Sequence, residues 1–377
     1  MTGAGGRDVR RSATALALLG CLTLAGCTDT AAPPTPGPTS APEEPAPETS
    51  SAPASQERGP RPVRIALAGD VHFEGPLAPR LRRPATALTG ATTELAAADV
   101  AIVNLETSVG SGGRPEPGKR FTFSAGTPAF TALAAAGIDV ASMANNHALD
   151  FGRSRLSSTL RAARRAAGAE PPLAVVGIGD DADRAHRPAR TVVRGTVVAT
   201  LAASAADQDP TADPTGDWAA GPDRPGVADA LDPQRLLREV RLADRTADVV
   251  VTYLHWGVQG ESCPSDDQRS LARRLVGAGA DVVVGSHAHQ LQGDGRLGPA
   301  YVAYGLGNFA WYSPGPTGVL TLTVRPPREP AGRARVVDSR WWPATIGADG
   351  LAAPDTGAAA AASRERRAAL RQCAGLD

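Results

Sequence analysis

Five of the six histidines in this chain sit in short polar motifs. These are Gly69-Asp70-Val71-His72, Asn145-Asn146-His147 with Asp150 three residues on, Leu254-His255-Trp256-Gly257, and Gly285-Ser286-His287-Ala288-His289. Neutral imidazole and carboxylate are the groups that hold Zn, Mn or Fe, so histidines placed this way are most simply read as a metal site. Asp70 and His72 alternate by two, which on an extended strand end points both side chains the same way and lets them grip one ion. Asn104 and Glu106 alternate likewise, and Glu106 suits a carboxylate bridge between two metals. His287 and His289 read as a clamp on one side of an extended backbone. Asn146 offers a side-chain oxygen, and Asp150 is placed to hydrogen-bond His147 and fix its tautomer. About four histidines, with one or two carboxylates and one or two amide oxygens, exceed one tetrahedral zinc and suit two adjacent divalent ions, Mn, Fe or Zn. Two such ions ~3.5–4 Å apart clamp both oxygens of a displacement, which frees His147 to act as a general acid. Taken singly, the Asp70 and Asn104 motifs have a plainer reading as turns, the Asn145 motif as a helix N-terminus capped by Asn, and His-x-His by itself is common. His186, in a polar run, receives no role.

The elements that must position these residues follow from the apolar pattern. Strands are expected at 63–68, 100–103, 138–143, 173–177, 191–201, 249–254, 282–285, 301–304 and 319–324. Helices are expected at 84–97, 130–136, 153–168, 233–245, 268–278 and 363–372. Alternating strands and helices imply an α/β architecture with covered sheets, whose ligands gather at the carboxyl ends of strands. Asp70, Asn104, His255 and His287 each directly follow an apolar run, and Asn146 comes a few residues after one. That repeated placement is stronger evidence than any single motif. The stretch 205–226 is a long polar loop containing Trp218, read as a lid or insert.

Outside the folded region the chain reads as exported. Arg7, Arg10 and Arg11 precede an apolar run ending in Leu24-Ala25-Gly26-Cys27. A basic start, a short apolar stretch and small residues before a cleavage point describe a secretory signal over 1–26, too short to span a membrane. Residues 27–62 are rich in Pro, Ala, Ser, Thr and Glu and are expected to form a disordered tether. The folded domain is expected over 63–346, with a tail from 347 to 377. In an oxidising compartment the even pair Cys263 and Cys373 is read as a disulfide, two unpaired thiols being the alternative. The 39 basic and 39 acidic residues give a formal net charge of zero, which argues against a nucleic-acid partner. All of the basic residues but Lys119 are Arg, which fits a GC-rich coding bias.

The ordered motifs, together with Tyr304-Gly305-Leu306-Gly307-Asn308-Phe309, resemble the CapA family of bacterial capsule-synthesis proteins associated with poly-γ-glutamate. The Leu-Ala-Gly-Cys ending similarly resembles the bacterial lipobox, which implies lipidation of Cys27 and a membrane-anchored, extracytoplasmic protein. The CapA family is related to calcineurin-like metallophosphoesterases, so the resemblance implies a sandwich of two mixed β-sheets flanked by helices with a two-metal centre. It assigns Asp70, His72 and His289 to one metal and Asn146, His255 and His287 to the other, with Glu106 bridging and His147 catalytic. Three positions depart from those patterns. Leu105-Glu106 stands where the phosphoesterases have Gly-Asp, His72 where family members commonly have Met, and Gln259 where many carry Glu. The implied function is a surface hydrolase of phosphoester-type bonds linked to capsule or envelope polymer. A non-catalytic scaffold or polymer-binding subunit of a synthesis complex, and a phosphate-scavenging phosphatase or nucleotidase, stand beside it.

Overall fold

The computed structural model describes residues 60–327, 329 and 332–376. The expected signal segment, Cys27 and the expected tether as far as residue 59 lie outside the described residues. Strand β1 (Val63–Val71) is buried along nearly all of its length, and its alternate residues enter different cores. Ile65 and Leu67 face one apolar cluster, Ala66 and Ala68 another. A strand covered on both faces needs this continuous apolar run. It pairs in parallel with β2 (Val100–Leu105), which pairs with β3 (Val140–Ser142), and that with β4 (Ala174–Val176). A second sheet repeats the plan. Its hairpin β5 (Ala189–Val193) and β6 (Thr196–Ser204) is followed by β7 (Val249–Trp256) and β8 (Val282–His287), with β6, β7 and β8 parallel. Strands β9 (Asp294–Leu297) and β10 (Ala300–Ala303) complete it. The chain then returns to the first sheet through β11 (Asn308–Ala310), β12 (Gly315–Arg325), β13 (Arg335–Ile346) and β14 (Ala352–Pro354).

The two mixed sheets meet across Ile65, Leu67, Ile102, Val251, Tyr253 and Val284. Helices α1 (Pro128–Ala135) and α2 (Gly152–Ala167) cover the outer face of the first sheet, and α3 (Gln234–Asp244) and α4 (Asp266–Ala278) that of the second. This is a sandwich of two mixed sheets flanked by helices. No helix among the described residues is long and apolar enough to cross a membrane.

One device recurs at the starts of the parallel strands. Asp99, Asp139, Asp248 and Asp281 each precede a Val that begins a strand. Each side chain accepts the amide of the neighbouring strand's residue, Arg64, Ala101, Val197 and Val250 respectively, at 2.7–2.9 Å. The backbone amide of the same Asp donates to the carbonyl of that same residue. The register of each parallel pair is thereby pinned at the end opposite the motifs.

Four segments differ from the sequence expectation. The helix expected over 84–97 is a 3-10 turn, Pro84–Thr86, and one α-turn, Thr93–Ala96, because Gly90 at φ +90° and four threonines disfavour a continuous helix. The strand expected over 191–201 is the β5–β6 hairpin. Arg194 and Gly195 both take positive φ, the two-residue turn whose twist suits antiparallel strands. Strand β13 was not foreseen, since Pro343 and its half-exposed face hide the alternation. Residues after 347 are no separate tail: β14 joins the first sheet, and α5 (Gly357–Ala374) is held by Arg367, whose Nε donates to Asp294 at 2.6 Å. Cys263 and Cys373 are disulfide-bonded, Cα to Cα 5.6 Å, tying α5 to the segment after His255.

Burial pushes the Asp281 carboxyl up to about 7, against the opposing pull of the Val250 amide and Arg333. A carboxyl raised above its unfolded value destabilises the folded chain progressively as pH climbs from about 4 to about 7. Asp281→Asn keeps an oxygen for the Val250 amide and removes that cost. Its melting temperature should exceed the parent's by a margin that widens from pH 5 to pH 8; a constant margin across that range would contradict the account.

Candidate metal centre

The site forms where the carboxyl ends of both sheets converge. Asp70, near the end of β1, is placed by the close approach of the 305–308 loop: its amide donates to the Gly307 carbonyl at 2.9 Å. Gly69 is required there, because a Cβ would lie 1.8 Å from the Gly307 oxygen. Asn104 of β2 donates from Nδ2 to Asp70 Oδ1 at 2.8 Å, and Asn145 donates to Asn104 Oδ1 at 3.1 Å. Asn145 Oδ1 in turn accepts the His147 amide at 3.0 Å. A chain of asparagines thus aligns the polar ends of β1, β2 and β3.

Asp70, Glu106 and His289 present oxygen and nitrogen atoms all within 4.8 Å of one another. Beside them, His255 Nε2 lies 2.8 Å from Asn146 Oδ1 and 3.1 Å from His287 Nδ1. Glu106 Oε1 stands between the groups, 3.5 Å from His255 Nε2, 3.7 Å from His147 Nε2 and 3.9 Å from His289 Nε2. These separations are too long for hydrogen bonds, but suit donors sharing a cation at ~2.1 Å each. Both Glu106 oxygens are fully buried and accept no hydrogen bond. Burial and the nearby Asp70 carboxylate push the Glu106 carboxyl well above its usual range. A buried carboxylate without partners costs several kcal/mol. A divalent cation would remove that cost, so the donor set fits one.

Burial holds His255 far toward the neutral form that ligates metals, with neighbouring histidines adding to the effect, and it also lowers His287, against the opposing hydrogen bond and charge of Asp209. Asp70 is lowered: burial raises its carboxyl, but hydrogen bonds from His289, Ser286 and Asn104 outweigh it. His289 Nδ1 lies 2.8 Å from Asn308 Oδ1, and His287 Nε2 lies 3.2 Å from Asp209 Oδ2. Carboxylate or amide groups behind metal-binding imidazoles fix their orientation.

His147 forms a dyad with Asp150, Nδ1 to Oδ2 2.6 Å. Its ring stacks on Phe123 at 4.0 Å between centroids, and the Phe123 amide donates to the same Asp150 oxygen at 2.5 Å. With Nδ1 engaged, Nε2 is turned toward Glu106. Burial, then the charge of Lys119, holds the ring far toward neutrality. The outer wall is a cleft of about 370 Å³ that includes His147, His289, Asn308, Trp311 and Tyr312.

Two local readings change. His287 and His289 do not lie on an extended backbone: their φ angles are +96° and +53°. The turn sends His287 toward His255 and His289 toward Asp70, so the pair divides between two groups rather than clamping one ion. Non-glycine residues in this region cost about 1–3 kcal/mol each, a strain typical of working sites. His72 lies near the other candidates, but its ring nitrogens are engaged elsewhere. Its Nδ1 accepts the Glu74 amide at 2.9 Å, and its ring packs 3.9 Å from that of Trp311. It makes no hydrogen bond or ion pair to the other candidate ligands among the described residues. A register shift between Asp70 and Val71 ends the regular alternation that would have kept Asp70 and His72 together. His186 lies between the carbonyls of Ala182 and Asp229, apart from the site.

Geometry and donor chemistry define a two-sheet α/β protein with a histidine–carboxylate centre at the strand ends. The chain belongs to the bacterial capsule synthesis protein family PGA_cap, whose sequence model matches residues 64–313. It is 34% identical over 174 residues to the PGA biosynthesis protein CapA of Bacillus subtilis, covering 46% of this chain and 42% of that one. It is 32% identical over 197 residues to the capsule biosynthesis protein CapA of Bacillus anthracis, covering 51% and 45%. The chain therefore spans less than half the length of these relatives. Among solved structures, a phosphatase from Mycoplasma pneumoniae aligns over 75% of this chain and 94% of its own, at 12% identity and a TM-score of 0.46.

Glu106→Gln should separate stability from metal binding. In chelator its melting temperature should equal or exceed the parent's, because an orphaned carboxyl is gone. On adding Mn²⁺ the parent should gain several degrees and the variant little or nothing. Equal gains would remove Glu106 from the centre.

Proposed function

We propose that this chain is a metal-dependent hydrolase of phosphoester-type bonds that works on a capsule or envelope polymer, or on its precursors, outside the cytoplasm. The observation that carries the reading is the buried, partnerless Glu106 carboxylate set between two donor groups, with the His147–Asp150 dyad directed at it. A scaffold would have no need of an acid so costly to bury without hydrogen-bond partners. The names of the Bacillus relatives link those proteins to capsule and PGA biosynthesis, and this chain's family membership extends that setting to it.

Asp70, Glu106 and His289 would hold one divalent ion, and Asn146, His255 and His287 a second, with Glu106 shared. Such ions supply Lewis acidity toward phosphoryl oxygens. The protein's residues do the rest. The Asn104–Asn145 chain keeps the donors in register, and burial of the site excludes bulk water. Asp150 holds His147 Nδ1, so any proton transferred to a leaving oxygen must pass through Nε2. An anionic ester entering beside His147 favours the protonated ring, which couples proton uptake to substrate binding.

The reading extends to Cys27 as the residue that carries the lipid anchor. Cys27→Ser should move the protein from the membrane fraction to the medium; retention on membranes would end the lipoprotein reading.

The decisive experiment measures metal content in protein purified without chelator, then turnover of bis-p-nitrophenyl phosphate with Mn²⁺, Fe²⁺ or Zn²⁺. About two equivalents of metal and metal-dependent turnover are expected. His147→Ala should lower kcat by at least about 10²-fold while metal content stays unchanged. Absence of stoichiometric metal even after adding the ions back would favour a scaffold.

A further inference from the structure

Lys119 is the single lysine of the chain, and its side chain is only 3% exposed. A solitary ammonium buried in an otherwise Arg-only protein is unusual, since burying it costs free energy unless it is fully engaged. Its Nζ donates to Asp150 Oδ1 and to the backbone carbonyl of Asn146, and lies 3.5 Å from His147 Nδ1. The indole of Trp218 covers it, Nζ standing 4.6 Å from the ring centroid, a cation–π contact. Asp150 is therefore shared. Oδ1 takes Lys119, while Oδ2 takes His147 and the Phe123 amide. Lys119 is enclosed too deeply to reach substrate, but it grips both ends of the turn from Asn146, a candidate ligand, to Asp150, which orients His147.

The neighbouring residue extends the arrangement. The backbone amide and Nε of Arg120 donate to Asp213 at 2.9 and 3.0 Å, and Asp213 and Trp218 belong to the same 206–218 segment. Asp209 of that segment lies 3.2 Å from His287 Nε2 and accepts the Gln259 amide at 3.0 Å. The polar loop thus touches the centre twice, at His287 through Asp209 and at His147 through Trp218, Lys119 and Asp150.

We infer that Lys119 is a positioning residue for the proposed hydrolysis: by holding Asp150 Oδ1 and the Asn146 carbonyl together it fixes the ring of His147, and Trp218 locks it there from the 206–218 loop. The inference rests on the hydrolase reading only for its kinetic arm. It separates Lys119 from a substrate-binding cation, whose effect would be independent of Asp150, and from a purely structural ion pair, whose loss would lower stability without changing catalysis per folded molecule.

The test is a double-mutant cycle in the full chain, Lys119→Met with Asp150→Asn, with Lys119→Arg alongside. Each variant is checked for metal content and fold by circular dichroism, and kcat and KM are measured on bis-p-nitrophenyl phosphate with Mn²⁺. Lys119→Met should lower kcat at least about tenfold with KM within about threefold and metal retained, and Lys119→Arg should recover part of the loss. In the Asp150→Asn background, which also removes the unpaired carboxylate if Lys119→Met alone folds poorly, the Lys119 change should cost less than about twofold. Multiplicative losses, or an unchanged kcat in folded Lys119→Met, would overturn the inference. Should the wild type turn over no ester with any of the metals, the hydrolase reading fails and the ¹⁵N resonances of His147 decide the matter alone. A single Nδ1–H ring in the wild type that becomes mixed in Lys119→Met supports positioning; identical spectra refute it.

Discussion

The candidate site is arranged around Glu106, whose carboxyl oxygens find no hydrogen-bond partner among the described residues. Glu106 sits fully buried with both oxygens unbonded, flanked by imidazoles held near neutrality. A divalent cation bound there would supply the counter-charge that the described residues do not. The donors that would share such a cation come from two different sheets: Asp70, Glu106 and Asn146 from the ends of β1, β2 and β3, His255 and His287 from β7 and β8. Neither sheet alone can assemble the set. The apolar layer between them, built from residues such as Ile65, Leu67, Val251 and Tyr253, is consequently part of the site's machinery. Close-packed interiors deform little, so this layer sets the distances between donors.

That rigidity also explains how local strain is sustained. Gly69 lets the 305–308 loop approach β1 to within contact of Asp70, and the left-handed turns at His287 and His289 direct adjacent imidazoles to different neighbours. Isolated, a His-Ala-His segment would relax to an extended form with both rings on one side. Here β8 is anchored along its length to β7, and its start is pinned by Asp281 to the Val250 amide. The strain is confined to the strand's end, where it separates two ligand groups that an unstrained segment would merge.

Much of this was legible in the sequence for a physical reason. Parallel strands covered on both faces are continuous apolar runs, so polar residues following such runs mark the carboxyl ends where sites form. By that rule Asp70, Asn104, His255 and His287 are legible as site residues from the sequence. It could not say which imidazole joins which group, because that depends on φ at His287 and His289. Nor could it foresee that the register shift after Asp70 sends His72 to Trp311 and the Glu74 amide. Asp209 lies in a loop with no periodicity and acquires meaning only through its neighbours. Lys119 is a different case. Its signal was present, a lone lysine among arginines, but composition alone assigns that to coding bias. The Asp-Val pairs that begin four parallel strands are likewise visible in the sequence, yet only the pairing explains them.

The contrast between buried carboxylates sharpens the assignment of the centre. Asp294 is met by Arg367 and Arg371, and Asp150 by Lys119. Asp70 takes a hydrogen bond from Asn104. Where a carboxylate serves to anchor or orient, this chain provides the compensating donor itself, at hydrogen-bonding distance. Glu106 alone among the described residues has a buried carboxylate with neither oxygen so provided. The chain holds a supply of arginines and places a lysine 3.5 Å from His147, yet among the described residues no arginine or lysine bonds Glu106. A guanidinium or ammonium there would occupy the space between the two donor groups and engage the lone pairs that a metal needs. The Lys119–Asp150 pair is the complement of Glu106: a fixed charge holds the turn from Asn146 to Asp150, whereas the lone pairs of Glu106 are left open to a cation.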